Sequence, residues 1–473
     1  MIFKSEKIRK KTIRMNEKIT LLHTNDIHSH FENWPKIRRY LIGTRKQLQH
    51  QGETVITVDL GDAMDRVHPL SEATNGKINI ELMNTIDYDA VTIGNNEGIG
   101  NSHEQLDEMY KEATFPVILD NILNGRTRTR SEWVQTNKII TTSKGTKVGL
   151  LACTAPFEAT YRMNDWIPLP VDDVLPALVK ELRSKVDILV LMSHLGIDVD
   201  RAIANKYPEF DIILGSHTHH LLEQGEVVGQ TLLCAAGKWG RYIGQVTLDI
   251  AQHKIIAKSA KVIMTADLPE SSGDTVEIQQ YQKTGEELLR KNKIALLPKD
   301  YPGSWIKRSP LMNVSLKAIQ FVTQTEASIL NGGLFLDDLH QGKLTAYDLH
   351  HILPHPMRIV KIRLNGYNLW RLIREMEKNR NHLRHAMVKG NGFRGKVFGE
   401  LVYDGIDFDP LSKSVSWHGQ VLDPGADYEF ATVDNFIYCP FFPTLEIVGH
   451  PKYLGDRFLR DVVGDYFETK YPV

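Results

Sequence analysis

Six short aliphatic runs constrain this chain more than any other feature: "ITLLHTND", "TVITVDLGD", "DAVTIGN", "KVGLLACTA", "DILVLMSH" and "FDIILGSH". They alternate with longer amphipathic stretches such as "PKIRRYLIGTRKQLQHQG" and "DDVLPALVKELRSKV", which is the rhythm of an α/β domain. The stretch "VVGQTLLCAAGKWGRYIGQVTLDI" continues as strands punctuated by glycine. Five of the six runs end in polar residues of metal-ligand type: Asp26 with His28, then Asp62, Asn95, His194, and His217 with His219. Ligand sites of α/β sheets form beyond the carboxyl ends of the strands, so these five loops are expected to converge. Residues two apart in extended backbone face the same side, which predicts that Asp26 and His28 serve one centre together, as do His217 and His219.

Seven nitrogen and oxygen ligands without a thiolate suit two divalent metal ions, such as Mn, Zn, Fe or Co, better than a structural zinc. Asp62 stands alone in its loop and is the natural bridge between them. Two such ions about 3.5 to 4 Å apart polarise phosphoryl oxygens and yield hydroxide near neutral pH, the machinery of phosphate-ester hydrolysis. Any one of these residues has an ordinary explanation as a satisfied core histidine or a helix cap. Five strand ends carrying the same chemistry do not.

At 473 residues the chain exceeds the usual size of a single core, so two domains are expected. A net charge of -1 leaves no electrostatic footprint for a nucleic acid polymer or an anionic membrane. The three cysteines, Cys153, Cys234 and Cys439, lack metal-like spacing. The start, "MIFKSEKIRKKTIR", is basic but has no signal-peptide apolar run, and Met15 is a candidate true start. No segment is long enough to span a bilayer, and a reducing cytoplasm is the simplest address. The polar stretch "DLPESSGDTVEIQQYQKTGEELLRKNK" predicts a connecting helix within 269–299. It separates a catalytic domain over 17–268 from a second over 300–473, where "NLWRLIREMEKNR" reads as helix and "RIVKIRL" and "DYEFATV" as strands.

"LLHTNDIHSH", "GDAMDRVHPLS", "INIELMNTIDYDAVTIGNNE", "SHLG" and "GSHTHH" resemble, in order and spacing, the calcineurin-like metallophosphoesterases. The branch they most resemble is the bacterial 5′-nucleotidase and 2′,3′-cyclic nucleotide phosphodiesterase family. "SILNGGLFLDDLHQGKLTAYDLHHILPHPMRIVKIRLNGYNLWRLI" is similar to its C-terminal domain. The resemblance implies a four-layer α-β-β-α sandwich followed by a mixed α/β nucleotidase domain. It also implies one metal on Asp26, His28, Asp62 and His219 and another on Asp62, Asn95, His194 and His217. The expected activity is dinuclear hydrolysis of a small-molecule nucleotide or related phosphate ester. The alternatives are a pyrophosphatase for nucleotide sugars or dinucleotides, and a metal- and nucleotide-binding protein with little turnover.

The chain departs from the family pattern at the catalytic position. The family reads Gly-Asn-His-Glu with an Asp two residues beyond the Glu; here Asn96 and Ile99 replace the His and the Asp. Asn96 keeps an amide that can donate to a phosphoryl oxygen but has no titratable proton for a leaving group. His30, His68 and His103 are the nearest substitutes, and each reads as an ordinary histidine. In the second domain the family stacks a base between aromatics and places an arginine after Asn-Gly-Gly. Here Asn331, Gly332 and Gly333 lead to Phe335, His355 stands where a phenylalanine is usual, and Tyr438, Phe441 and Phe442 offer an aromatic wall. Asn331 to Gly333 read as a tight turn lining an interdomain cleft, and the loop with Gly390, Gly392 and Gly395 reads as solvated.

Overall fold

The computed structural model describes residues 17–388 and 393–473. The basic start, Met15, Gly390 and Gly392 lie outside the described residues. The fold divides into two compact units. The first comprises the chain through Met64, Asn79–Ile99 and His103–Ile278; the second comprises Asp65–Ile78, Gly100–Ser102 and Gln279–Val473.

In the first unit, the strands Glu17–Thr24, Thr54–Asp59, Ala90–Val91, Val117–Ile118 and Val134–Gln135 lie parallel in one sheet, extended by antiparallel Tyr242–Ala251 and Lys254–Met264. A second sheet runs Glu226–Val228, Thr231–Ala235, Ile212–Gly215, Ile188–His194, Lys147–Thr154, Lys138–Thr141. Alternate residues decide the layers. Ile19, Leu21, Ile56 and Val58 from one sheet and Leu150, Val190, Met192 and Leu214 from the other form a single buried cluster. Residues of the opposite parity, Leu151, Leu189, Leu191 and Ile213, pack instead with Leu175, Val179, Leu182, Ile197 and Ile203. The first three of these lie on the helix Val171–Arg183 and the last two on Ile197–Lys206, at helical spacing. The helix Trp34–His50 buries Ile37 and Leu41 and packs against Thr54–Asp59. The result is the α-β-β-α order that the resemblance implied. Each fully buried aliphatic side chain contributes about 1.5–3 kcal/mol, so the paired sheets form a stiff base for the loops at their ends.

The run "DAVTIGN" yields only Ala90–Val91 as strand, because the chain turns directly into the helix Asn95–Gly100. The second unit is mixed α/β. Its central sheet runs Leu401–Asp404, Ala327–Asn331, Asp427–Val433, Arg358–Asn365, His450–Phe458. The helices Pro310–Thr323, Gly366–Leu383 and Leu459–Lys470 contribute to its core. Ser309 and Asn365 cap the first two by accepting the N–H groups of Met312 and Asn368. A helix also occupies Asp274–Lys291. No helix among the described residues is long and apolar enough to cross a membrane.

Candidate metal centre

Parallel pairing brings the carboxyl ends of the first unit's strands to common edges: Thr24 stands opposite Asp59, Asp59 opposite Val91, and Ser193 opposite Gly215. The loops that follow carry Asp26 and His28, Asp62, and His217 with His219, while Asn95 opens the helix Asn95–Gly100 and His194 is the last residue of its own strand. Two of these loops are laced together by backbone. Asp26 N–H donates to Gly61 O at 3.0 Å, His28 N–H to Asp62 O at 2.8 Å, and Ser29 N–H to Ala63 O at 2.9 Å.

The side chains gather into two triads, Asp26 with His28 and His219, and Asp62 with His194 and His217, each with ligand atoms within 4.8 Å of one another. In the first, His28 Nε2 lies 3.1 Å from His219 Nε2, and Asp26 Oδ1 lies 3.8 and 3.5 Å from them respectively. In the second, His194 Nε2 lies 3.4 Å from Asp62 Oδ2 and 3.3 Å from Asn95 Oδ1. Atoms about 2.1 Å from a shared cation stand roughly 3.0 to 3.4 Å apart at octahedral or tetrahedral angles. The 3.1, 3.3 and 3.4 Å edges match that spacing, and Asp26 Oδ1 stands slightly farther out. Asp62 Oδ2 is also 3.7 Å from His28 Nε2, which puts one carboxylate oxygen between the triads. All seven sequence-derived candidates therefore meet in one place.

They do not meet by strand alternation. Asp26, His28, Asp62, His217 and His219 have φ of 49°, 50°, 52°, 73° and 60°, the left-handed region that non-glycine residues avoid. Such conformations cost about 1 kcal/mol or more each and cluster where function requires them. The pairing of Asp26 with His28 comes from this backbone, held by the lacing to residues 61–63, and not from extended geometry. Gly94 permits the remaining approach, because a Cβ there would lie 2.0 Å from Asp62 Oδ1.

Several buried groups orient the ligands. His194 Nδ1 lies 2.8 Å from Leu60 O and 3.0 Å from Ser216 Oγ, which fixes the ring and leaves Nε2 facing Asp62. Glu97, fully buried, accepts the N–H groups of Asp62, Met64 and Gly94 at 3.0, 2.8 and 2.8 Å. Glu97 was not among the sequence candidates. Its signal was half of a capping box, an acid three residues after the Gly94 that precedes the helix Asn95–Gly100. Glu97→Ala leaves three backbone donors without their carboxylate and is expected to lower stability by about 3 kcal/mol or more, read from the midpoint of a denaturant titration.

The electrostatics suit cations. Burial opposes ionisation of Asp62, but His194 and His28 hold its carboxyl well below the usual range. Burial disfavours His194 protonation, yet the Asp62 and Asp26 carboxylates outweigh it and push the imidazole up to about 10. Burial, reinforced by the neighbouring His194, lowers His217 to about 4. Without a metal, His194 thus holds a proton where a divalent ion would bind.

Asn96 is tied to this frame. Its N–H donates to Asp62 Oδ1 at 2.7 Å, and its side-chain Nδ2 lies 2.9 Å from His28 Nδ1 and 3.1 Å from Met64 O. The amide is thus engaged by Met64 O and packed against the His28 ring, so Asn96 braces a ligand rather than standing free beside the phosphate. The candidate substitutes are also engaged. His103 is buried, stacked on Trp166 at 3.9 Å, with Nδ1 near Asn164 O and Nε2 near Asn124 Nδ2. His68 Nδ1 accepts the Leu70 N–H as a helix cap, and His30 pairs with Glu32 at 2.6 Å.

The candidates of the second unit are mostly interior. Asn331 Nδ2 donates to Phe398 O, and Gly332 and Gly333 form a short 3-10 turn. A Cβ on Gly333 would lie 1.8 Å from Val397 O, so packing alone accounts for that glycine. His355 is 1% exposed, with Nε2 at 2.7 Å from Leu334 O and Nδ1 accepting the Arg394 N–H, and Phe335 is 1% exposed. Phe442 is completely buried against Phe398 and Phe436, so it packs and offers no face to a ligand here. Phe441 is half-buried beside His382, and Tyr438 is exposed.

Residues 19–221 match the calcineurin-like phosphoesterase family, and residues 293–437 match the 5′-nucleotidase C-terminal domain. An uncharacterized metallophosphoesterase, YunD of Bacillus subtilis, is 36% identical over 460 residues, covering 95% of this chain and 99% of its own length. A 5′-nucleotidase of Vibrio cholerae is 23% identical over 524 residues, covering 96% of this chain and 91% of its own. In fold, the chain is similar to a putative 5′-nucleotidase from Staphylococcus aureus, with a TM-score of 0.69 at 16% identity and coverage of 97% and 98%. Two triads of metal-ligating side chains on this scaffold, and a relative matched along almost its whole length, make the chain a member of the calcineurin-like metallophosphoesterases with a 5′-nucleotidase C-terminal domain, hydrolases of phosphoric esters.

Proposed function

We propose that this chain hydrolyses phosphate esters of nucleotides at a pair of divalent cations. Asp26, His28, Asp62 and His219 would hold one, and Asp62, Asn95, His194 and His217 the other. The observation that carries this reading is the placement of Asp62 Oδ2 at 3.7 Å from His28 and 3.4 Å from His194, one oxygen shared between two ligand sets. When bound, the cations supply Lewis acidity, polarising a phosphoryl oxygen and lowering the pKa of the attacking water. The chain's own residues fix the geometry: Glu97 holds the Asp62 loop, Leu60 O sets the His194 ring, and Asn96 braces His28. The test is release of inorganic phosphate from a nucleotide panel with added Mn, alongside elemental analysis. Turnover with about two ions per chain is expected. Stoichiometric metal and nucleotide binding without turnover would instead mark a binding protein.

The side chain at position 96 narrows the substrates. An amide cannot protonate a leaving group, and a missing general acid costs on the order of 10² to 10⁴ in rate. p-Nitrophenyl phosphate, whose leaving group needs no proton, is therefore expected to turn over at least about 10²-fold faster than a nucleoside monophosphate. Comparable kcat values on the two substrates would contradict this.

A further inference from the structure

Asn95 has little support of its own. Its Nδ2 donates to Asn96 Oδ1 at 3.1 Å and its Oδ1 lies 3.3 Å from His194 Nε2, and among the described residues its side chain has no other hydrogen bond. Its place is therefore set by the helix it opens, Asn95–Gly100, in which Gly98 and Gly100 are two of six residues. Glycine is the weakest helix former after proline, and a helix this short does not hold itself together in water, so both ends need anchors from outside. Glu97 anchors the start. The far end is held by Arg66, a buried residue whose Nε donates to Gly100 O at 2.6 Å and whose Nη2 donates to Asn101 Oδ1 at 2.7 Å. A helix leaves its last carbonyls without partners of its own, and a guanidinium there satisfies one and meets the negative end of the helix. The same guanidinium also grips its own stretch of chain, with Nη1 donating to Glu72 Oε2 at 3.0 Å and Nη2 to Asn75 Oδ1 at 3.1 Å.

Arg66 follows Asp62 by four residues, so one planar fork ties the chain leaving Asp62 to the end of the helix that begins with Asn95. Asp62 and Asn95 belong to the same proposed ligand set, together with His194 and His217. We infer that Arg66 is a positioning residue for that set: it fixes where Asn95 stands relative to Asp62, and its effect on the metal passes through Asn95. This rests on the two-cation reading above. The geometry of the guanidinium matters more than its charge. A lysine at 66 would keep a cation opposite Glu72, but one ammonium on a flexible stem cannot reproduce a rigid fork that bonds Gly100, Asn101, Glu72 and Asn75 at once. Arg460 provides the comparison within the same network. It also pairs with Glu72, at 2.8 Å, but its other hydrogen bonds go to Leu353 O and His355 O, away from the Asn95 helix.

The test titrates the metal-free protein with Mn by calorimetry, where the two-cation reading expects two binding steps. Asn95→Ala identifies the step that belongs to the Asn95 set, because that step weakens when the amide is removed. Arg66→Lys is expected to weaken the same step by about 10- to 100-fold, the usual effect of removing an outer partner of a ligand, and to leave the other within about threefold. The matched exchange Arg460→Lys should leave both steps within about threefold of wild type. If Arg66→Lys does not fold, Asn101→Ala removes one acceptor of the fork and carries the same comparison, with an expected weakening of about three- to tenfold. A general loosening of the fold would weaken both steps, or respond alike to the two lysine variants, and either result overturns the positioning role. So does wild-type Mn binding by Arg66→Lys. A wild-type protein that binds fewer than two ions removes the two-cation reading itself, and the role of Arg66 with it.

Discussion

Replacing Asp62 by Asn is expected to lower phosphate release by about 10³-fold or more and to reduce the metal content of the purified protein. The substitution is nearly isosteric. The side-chain oxygen that accepts the Asn96 N–H at 2.7 Å survives, so the loop keeps its anchor. What changes is the oxygen between the triads, which becomes an amide nitrogen pointing at His28 and His194 with no lone pair for a cation. A ligand set that loses its shared member loses several kcal/mol of charge stabilisation, and about 4 kcal/mol corresponds to 10³ in rate. Elemental analysis of wild type and variant, prepared together, checks the metal part separately from the kinetics. Retention of both ions and of activity would show that Asp62 is not the bridge.

The same pair sets how the metal-free protein responds to pH. His194 is raised in the folded chain, so its contribution to stability is fully present below its ordinary value of 6.5 and is lost as pH rises through about 10. Asp62 is depressed, so its contribution is present above the ordinary carboxylate value and is lost as pH falls toward the folded one. The metal-free protein should therefore be most stable, relative to Asp62→Asn, between about pH 4 and 6.5. Metal affinity runs the other way, because a cation must displace the His194 proton.

Much of the first unit was legible because its signal is local. "ITLLHTND" and "DILVLMSH" announce strands by their own residues, and the polar groups that follow lie at the strand ends whatever the loop conformation. The left-handed turns at Asp26, His28, Asp62, His217 and His219 were not legible, because no glycine marks them. Those at Asp26, His28 and Asp62 are held by bonds between loops about 35 residues apart in sequence, such as His28 N–H to Asp62 O, and His217 N–H reaches the Asp26 carboxylate, 191 residues away. Glu97 was missed for the same reason: its three partners come from two separate loops. In the second unit, "FIYCPFF" reveals that aromatics are present but not which ring turns inward. Phe442 lies inside while Tyr438 is exposed, a distinction made only by the packing of Phe398 and Phe436.

Restoring the missing proton donor is expected to have the opposite effect to the loss of Asp62. Asn96→His with Ile99→Asp should raise kcat on a nucleoside monophosphate by about 10² or more while leaving p-nitrophenyl phosphate within a few fold. The geometry favours the pair. Positions 96 and 99 lie three apart on the helix Asn95–Gly100, the spacing at which side chains meet, and both are partly exposed. An Asp at 99 can then hold the imidazole and keep it protonated near neutral pH. The backbone N–H of residue 96 would still reach Asp62 Oδ1, so the metal ligands stay in place. The cost falls on His28, which loses the Asn96 amide beside Nδ1 and the bracing that amide draws from Met64 O. Weaker metal binding combined with faster monophosphate turnover would show that position 96 trades ligand support against proton donation. A double variant that retains its metals yet gains nothing on the monophosphate would show that leaving-group protonation does not limit this enzyme.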